Sequence, residues 1–273
     1  MKNAGIKEKI IVSLFLIKVA DGLLNGFFAL HYSSYNPDTA GFHFEGLNEY
    51  HLLFNHPKEY FFDLFRSGYT SGYSGLLQTH QSYWNDLEYA LIIKLLSVFD
   101  IFSFGNYYIN VIFYNFITFF GIVGLFRVFA NIYPTKTHTL IISCFLLPSL
   151  LFFSSITEKE GLMFSMIGIV VFNIYYALNY SGFRLIRILY ISLALFFIFL
   201  LRAYVLIAVL PALFAWVVAH YSKRPSLLMF SIIYIFGLIV FFNFNKIFPT
   251  INFPKLLHKE GSILKVWANP IAT

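Results

Sequence analysis

The chain has 273 residues, of which 59% are hydrophobic and 12% are charged, with a formal net charge of +6 and a mean hydropathy of +0.71. A soluble domain carries about 25% charged residues, so this composition excludes an ordinary soluble domain. Uncharged runs of roughly 20 residues recur, and each is long enough to cross a bilayer. The basic residues are scattered between these runs, which is typical of loops that fix membrane topology and not of a nucleic-acid interface.

The composition therefore predicts an all-α, polytopic transmembrane helix bundle with about seven spans. The N-terminus is basic and then apolar, like a signal peptide, but the apolar segment is long and lacks a clear A-x-A cleavage site. We therefore interpret it as a retained first span in a single membrane domain, residues 1–273. The predicted spans lie near residues 10–31, 106–129, 138–156, 161–179, 185–202, 203–220 and 226–243.

Basic residues in short loops predict the orientation of these spans. With seven spans, four groups of Lys and Arg fall on one face: before span one, between spans two and three, after span four and after span six. That face is predicted to be cytoplasmic, with the N-terminus. The loop 32–104 and the tail 244–273 are then extracytoplasmic.

The apolar run 188–219 is interrupted by a single charged residue, Arg202. One helix over this run would be about 48 Å long, whereas the hydrocarbon core is about 30 Å thick. A single span would also place Lys223 and Arg224 outside. Two spans that turn near Arg202 satisfy both constraints, although no Gly, Pro or Asn marks the turn.

The outer loop 32–104 is predicted to be partly helical. "GLNEYHLLFNH" and "PKEYFFDLF" predict short amphipathic helices, with Pro57 at a helix start. "SGYTSGYSG" (67–75) predicts a flexible loop. From Trp84 onward, polar residues recur every three positions from Lys94 to Ser103. This pattern predicts a helix that lies in the outer membrane interface.

The stretch "TEKEG" places Glu158, Lys159 and Glu160 between two uncharged apolar runs. One explanation is a capping box, with Thr157 as the N-cap of span four and Glu160 as its N3 partner. That explanation does not account for Lys159, because the helix dipole disfavours a cation in the first turn. Exposed backbone N–H groups plus a cation instead form an anion site.

Arg202 is predicted to end span five on the same membrane face as Lys159. Two cations at one apolar rim are costly unless an acid or an anion partners them. Lys159 and Arg202 are therefore predicted to clamp a lipid phosphate. The alternative for Arg202 alone is snorkelling at a helix end.

The outer loop supplies candidate acids for catalysis. Asp38 follows span one by a few residues, where a rigid helix can position its carboxylate as a general base for a sugar hydroxyl. The alternative is that Asp38 caps a turn after Pro37. Glu45, Glu49 and Asp86 are secondary candidates.

Three other groups of residues carry structural predictions. The loop histidines lack H-x-x-x-H or H-E-x-x-H spacing, so neither a metal nor a cofactor is predicted. Lys18 and Asp21 are one helical turn apart in span one and are predicted to pair, with a proton relay as the alternative. Gly22 and Gly26 form G-x-x-x-G, which predicts a helix contact.

With these residues placed, the chain resembles the GT-C superfamily of membrane glycosyltransferases, in its bacterial surface-polysaccharide branch. The resemblance covers roughly residues 10–225, with Ala203 where members often have proline. It is carried by the acid just past the first span (Asp38), "SYWNDLEY", "LPSLLFFSSITEKEG" and "LLRAYVLIAVLPAL".

The resemblance implies an extracytoplasmic active site in a bacterial cytoplasmic membrane and a polyprenyl-phosphate-linked sugar donor. By position, Asp38 is the implied catalytic acid, and Lys159 and Arg202 are the implied contacts to the lipid phosphate. The expected partners are this donor, a lipid-linked or glycan acceptor and membrane lipids, without nucleic acid. A repeat-unit polymerase and a non-enzymatic lipid-binding or transport protein stay open as alternatives.

Overall fold

The computed structural model describes residues 8–32, 37–65, 83–222 and 225–247, and every regular element in these ranges is helical. The all-α prediction is therefore confirmed. The predicted flexible loop at 67–75 and nearly all of the tail 244–273 lie outside the described residues. The helices are α1 (Glu8–His31), α2 (Pro37–Asn55), α3 (Pro57–Asp63), α4 (Tyr83–Ser103), α5 (Tyr107–Ile132), α6 (Thr137–Ile141), α7 (Pro148–Ser155), α8 (Lys159–Tyr176), α9 (Leu185–Leu201), α10 (Ala203–Ser222) and α11 (Ser226–Ile247).

The described helices make this a multi-pass membrane protein. Four of them are long and apolar enough to cross a bilayer: Glu8–His31, Tyr107–Ile132, Lys159–Tyr180 and Ala203–Ser222. A fifth candidate is the pair Pro134–Leu146 and Pro148–Ser155, which is bent by 44°. Two further apolar helices, Leu185–Leu201 and Ser226–Val240, are shorter. All seven predicted segments are thus helical, whereas seven crossings and their orientation stay predictions.

The chain divides into two compact units. The first contains Met1–Gly68 and Asp86–Ala203, and the second contains Tyr69–Asn85 and Tyr204–Thr273. In the second unit the Tyr234 hydroxyl of α11 donates to the Ala208 carbonyl of α10 at 3.3 Å. The residues singled out from the sequence as a candidate site belong to the first unit, within Met1–Gly68 and Asp86–Ala203.

Close backbone contacts hold the first unit together. A Cβ atom on Gly121 of α5 would overlap the backbone of Ser165 in α8, and one on Gly168 would overlap the backbone of Gly121. Small residues of this kind allow helices to approach closely in membrane bundles. In α1, Gly22 lies against the Ser155 carbonyl and Gly26 against the Tyr107 ring, which confirms the predicted helix contact of the G-x-x-x-G motif.

Lys18 and Asp21 do not pair directly, so that prediction is wrong. The Lys18 ammonium donates instead to side chains of α5 and to a carbonyl of α7. The Asp21 carboxylate accepts a hydrogen bond from the Ser155 hydroxyl at 2.5 Å. Neighbouring helices supply these partners, and residue spacing within α1 cannot reveal them.

The interruption predicted at Arg202 is confirmed. Helix α9 ends at Leu201, and Arg202 has a non-helical backbone with φ −157° and ψ 85°. Its N–H still bonds to the carbonyl of Ile198, and the next helix begins at Ala203. The break therefore forms without glycine or proline at the turn.

The range 37–65 contains the two predicted short helices, and α2 begins earlier than predicted, at Pro37. Helix α3 begins at Pro57, as expected for a proline in a first turn. The polar stripe of α4 does not face water, because Ser97 and Asp100 are fully buried. That the helix lies in the membrane interface stays a prediction. Ser97 bonds to the Tyr60 hydroxyl at 2.9 Å, so the stripe packs against neighbouring helices.

Candidate functional site

The candidate site is built on the short connection between α7 and α8. Helix α7 ends at Ser155 and α8 begins at Lys159, with extended backbone at Ile156 and Glu158. Glu158 takes the N-cap position, and its side chain makes no capping hydrogen bond. The predicted capping box is therefore wrong: the buried Thr157 hydroxyl points inward, 3.4 Å from the Tyr107 hydroxyl.

Glu158 attaches helix α2 to this connection. Its carboxylate accepts a hydrogen bond from the Thr39 hydroxyl at 2.5 Å. Its backbone carbonyl accepts another from the Tyr114 hydroxyl of α5. Asp38 precedes the buried Thr39 and is exposed in the first turn of α2. The hydrogen bond thus joins the residue that follows Asp38 to the residue that precedes Lys159.

The two candidate cations each have a carboxylate partner. Lys159 pairs with Glu88 of α4 at 2.5 Å, and Arg202 pairs with Glu160 at 2.6 Å. All four side chains are partly exposed, so both pairs lie at the edge of the packed interior. We call Glu88–Lys159 and Glu160–Arg202 the rim pairs. Sequence reasoning anticipated that acids or anions would partner these cations, but it missed Glu88, although "SYWNDLEY" had been singled out.

The secondary acids lie on the same two helices as these contacts. The Tyr89 hydroxyl lies within reach of the negative charges of Glu45 and Asp38 on α2. Burial, and then these two negative charges, raise the pKa of Tyr89 to about 12. Tyr89 is therefore a neutral phenol that can donate to Glu45. Asp86 lies in the first turn of α4 and is half-buried.

The rim combines paired cations with additional carboxylates. The rim pairs hold Lys159 and Arg202 in fixed positions by short, charge-assisted hydrogen bonds. A lysine ammonium has three hydrogen-bond donors and an arginine guanidinium has five. The exposed carboxylates of Asp38 and Glu45 are suited to accept hydrogen bonds or a proton.

The described loop histidines His43, His51 and His56 differ in their surroundings. Within the described ranges, no group of three or more His, Cys, Asp or Glu side chains could hold a metal ion. His51 and His56 are exposed, whereas His43 is buried with its ring centroid 5.2 Å from that of Tyr107. Burial lowers the pKa of His43, and the nearby charge of Asp100 opposes this effect.

Comparison with known proteins yields no match, whether with protein-family models, with curated proteins or with solved structures. The resemblance stated from the motifs therefore stays an expectation. The function has to be argued from the contacts described above.

Proposed function

We propose that this protein is a membrane glycosyltransferase of the GT-C type. It would move a sugar from a polyprenyl-phosphate-linked donor to a lipid-linked or glycan acceptor on the extracytoplasmic face of a bacterial cytoplasmic membrane. One observation carries the proposal: the 2.5 Å hydrogen bond between Thr39 and Glu158. It attaches the helix turn that bears Asp38 to the turn that bears Lys159.

In this proposal Asp38 is the general base. Its exposed carboxylate accepts the proton of the acceptor hydroxyl as the acceptor oxygen bonds to the anomeric carbon of the donor sugar. The bond from that carbon to the phosphate oxygen breaks, and polyprenyl phosphate leaves with the electron pair. The general base needs a fixed position, which the buried Thr39 beside it provides.

Lys159 and Arg202 would stabilise the charge that develops on the leaving phosphate. Their glutamate partners hold both cations at the rim before the donor arrives, which lowers the cost of ordering them on binding. The phosphate oxygens would accept hydrogen bonds from both cations, beside the carboxylates or in their place. The glutamates thus act as positioning groups for the cations in this proposal.

A second candidate function is a non-enzymatic lipid-binding or transport protein. It is favoured by the 44° bend between Pro134–Leu146 and Pro148–Ser155, because broken helices often line transporter binding sites. The same rim would then hold a lipid phosphate without transferring a sugar.

The test combines lipid analysis with a transfer assay on the purified protein. The wild-type protein is expected to retain polyprenyl phosphate in mass spectra and to transfer sugar from a polyprenyl-phosphate-linked donor. Asp38→Asn preserves the size of the side chain but removes the base, so transfer should fall by about 10²–10⁴ while lipid retention persists. Near-normal transfer by this variant would reject Asp38 as the base.

A matched control is Glu59→Gln. Glu59 is an exposed acid in the first turn of α3, which begins with a proline as α2 does. Its substitution should leave transfer unchanged, whereas equal losses in both variants would indicate a general effect of charge on the outer segment. A wild-type protein that retains the lipid but transfers no sugar would favour the second candidate function.

A further inference from the structure

Lys18 lies inside α1, a helix apolar enough to cross the membrane, and only 2% of its surface is exposed. Its ammonium donates to the side-chain amide oxygen of Asn115 at 2.5 Å, to the Thr118 hydroxyl at 3.0 Å and to the Ser154 backbone carbonyl. An ammonium has three donors, and this site supplies three acceptors. Ionisable side chains inside transmembrane segments are costly and usually serve a function.

This cation holds the C-terminal end of α7. The last carbonyls of a helix have no partner within the helix. In α7 the Ser154 carbonyl accepts from Lys18, and the Ser155 carbonyl accepts from the Asn115 amide at 2.8 Å. A cation at a helix C-terminus also complements the helix dipole.

The residues that follow α7 are held in the same way. Ile156 and Thr157 are buried although they are not helical, and such backbone is tolerated in a membrane bundle only where the protein satisfies its polar groups. Tyr114 provides the next contact, because its hydroxyl donates to the Glu158 carbonyl and accepts from the Leu162 N–H at 3.2 Å. Gly22 makes room for this arrangement, since a Cβ atom there would overlap the Ser155 carbonyl.

We propose that Lys18 is a positioning residue for the candidate site: from within α1 it fixes the end of α7 and thereby the Glu158–Glu160 turn at the rim. The positioning role itself is argued from the hydrogen bonds of Lys18. What the positioned turn does with a ligand rests on the glycosyltransferase proposal.

Hydrogen–deuterium exchange of the purified full-length protein tests this positioning role. Lys18→Met keeps the length of the side chain and removes its three donors. We expect backbone amides from Ile156 to Leu162 to exchange about tenfold faster or more, corresponding to the loss of a charge-assisted hydrogen bond, while α9 keeps its protection. Unchanged exchange over 156–162, or an equal rise in all helices, would overturn the proposal.

The matched control is Lys94→Met. Lys94 is a partly buried lysine that bonds to Glu49 and to the Tyr60 carbonyl, and not to the α7–α8 connection. Its substitution should leave exchange over 156–162 unchanged. A rise there as large as in Lys18→Met would overturn the specific role of Lys18.

Thr118→Val keeps the test decisive if Lys18→Met does not accumulate. It removes one acceptor of Lys18 with little change in volume, and a smaller rise is expected over the same amides. No rise in this variant would overturn the proposal. In the transfer assay, a positioning role predicts a lower kcat with little change in KM. If exchange rises only over 156–162 and the wild-type protein transfers no sugar, the positioning role of Lys18 is supported and the glycosyltransferase proposal is rejected.

Discussion

The protein stabilises its cations differently at two places in the first unit. In the deep layer, formed by Lys18, Asn115, Thr118 and Ser154, the lysine is 2% exposed and donates to neutral oxygens. At the rim pairs, the cationic side chains are 23% and 28% exposed and bind carboxylates. The buried cation is thus bound by neutral oxygens, and the partly exposed cations are bound by carboxylates.

The difference follows from the cost of removing charge from water. A carboxylate in direct contact with Lys18 would add a second desolvated charge, and the attraction often fails to offset that cost. Neutral side chains and the end of a helix satisfy the ammonium without it. Partly exposed ion pairs contribute only about 0–1 kcal/mol to stability. The deep layer is therefore suited to fix the fold, and the rim pairs are suited to exchange partners with a ligand.

The largest effect is expected when the deep layer loses Asn115, which binds both Lys18 and the Ser155 carbonyl. Asn115→Leu preserves the approximate size of the side chain but leaves a buried cation and a buried carbonyl without this partner. We expect a loss of about 3 kcal/mol or more in the free energy of unfolding, measured by denaturation in detergent, because a hydrogen bond to a charged group and one to a buried carbonyl are both lost.

Asn173→Leu is the control for this substitution. Asn173 is also buried, in α8, but its amide bonds to the Ile169 carbonyl of its own helix at 2.8 Å. Its replacement should cost clearly less than that of Asn115. Equal losses would show that the deep layer has no special role in stability.

The rim pairs should show the opposite pattern, with a small effect on stability and a large one on binding. Arg202→Ala is expected to change the free energy of unfolding by about 1 kcal/mol or less. It should weaken binding of polyprenyl phosphate by about ten- to hundredfold, since a hydrogen bond to a charged group contributes roughly 1.5–3 kcal/mol. Thermal unfolding and lipid titration measure the two effects on the same sample.

The matched change at the other half of the pair is Glu160→Gln, which removes the carboxylate that positions Arg202. Binding of the lipid phosphate should weaken less in this variant than in Arg202→Ala, because the cation is kept and only its positioning is lost. If Arg202→Ala left lipid affinity unchanged, snorkelling would suffice to explain Arg202. If it destabilised the protein as much as Asn115→Leu does, the distinction between the two regions would fail.

The helical segments could be predicted from the sequence because each depends on local composition. Uncharged runs mark the apolar helices. The break at Arg202 followed from a length argument, since one helix over 188–219 would exceed the bilayer thickness. Pro57 marked the start of α3 because proline suits a first helical turn.

The partners of the charged residues could not be predicted, because they come from distant parts of the chain. Glu88 reaches Lys159, and Asn115 reaches Lys18, only after the helices have packed. The capping box at Thr157 failed for the same reason: a local motif competed with a tertiary contact to Tyr107, and the tertiary contact prevailed. Candidate residues for the site could therefore be proposed from the sequence, whereas their pairing could not.

The smallest expected effect is a pH dependence of stability that arises from the buried side of α2. His43 lies one turn after Thr39, and both are buried. Burial lowers the pKa of His43 below its ordinary value, and this outweighs the opposing charge of Asp100. The unfolded chain therefore takes up a proton at a higher pH than the folded chain does. Stability should fall as the pH drops below about 6.5, the ordinary value for histidine.

His43→Gln should reduce this pH dependence, measured as the difference in Tm between pH 7.5 and pH 5.5, because the substituted side chain does not titrate. His51→Gln on the same helix is the control, since His51 is exposed and its replacement should leave the difference unchanged. The groups that face His43 are Asp100 and the ring of Tyr107. If the wild-type protein instead gained stability on acidification, and His43→Gln abolished the gain, attraction to Asp100 would outweigh burial. His43 would then resemble the rim cations in pairing with a carboxylate, and burial alone would not decide how this protein stabilises its charges.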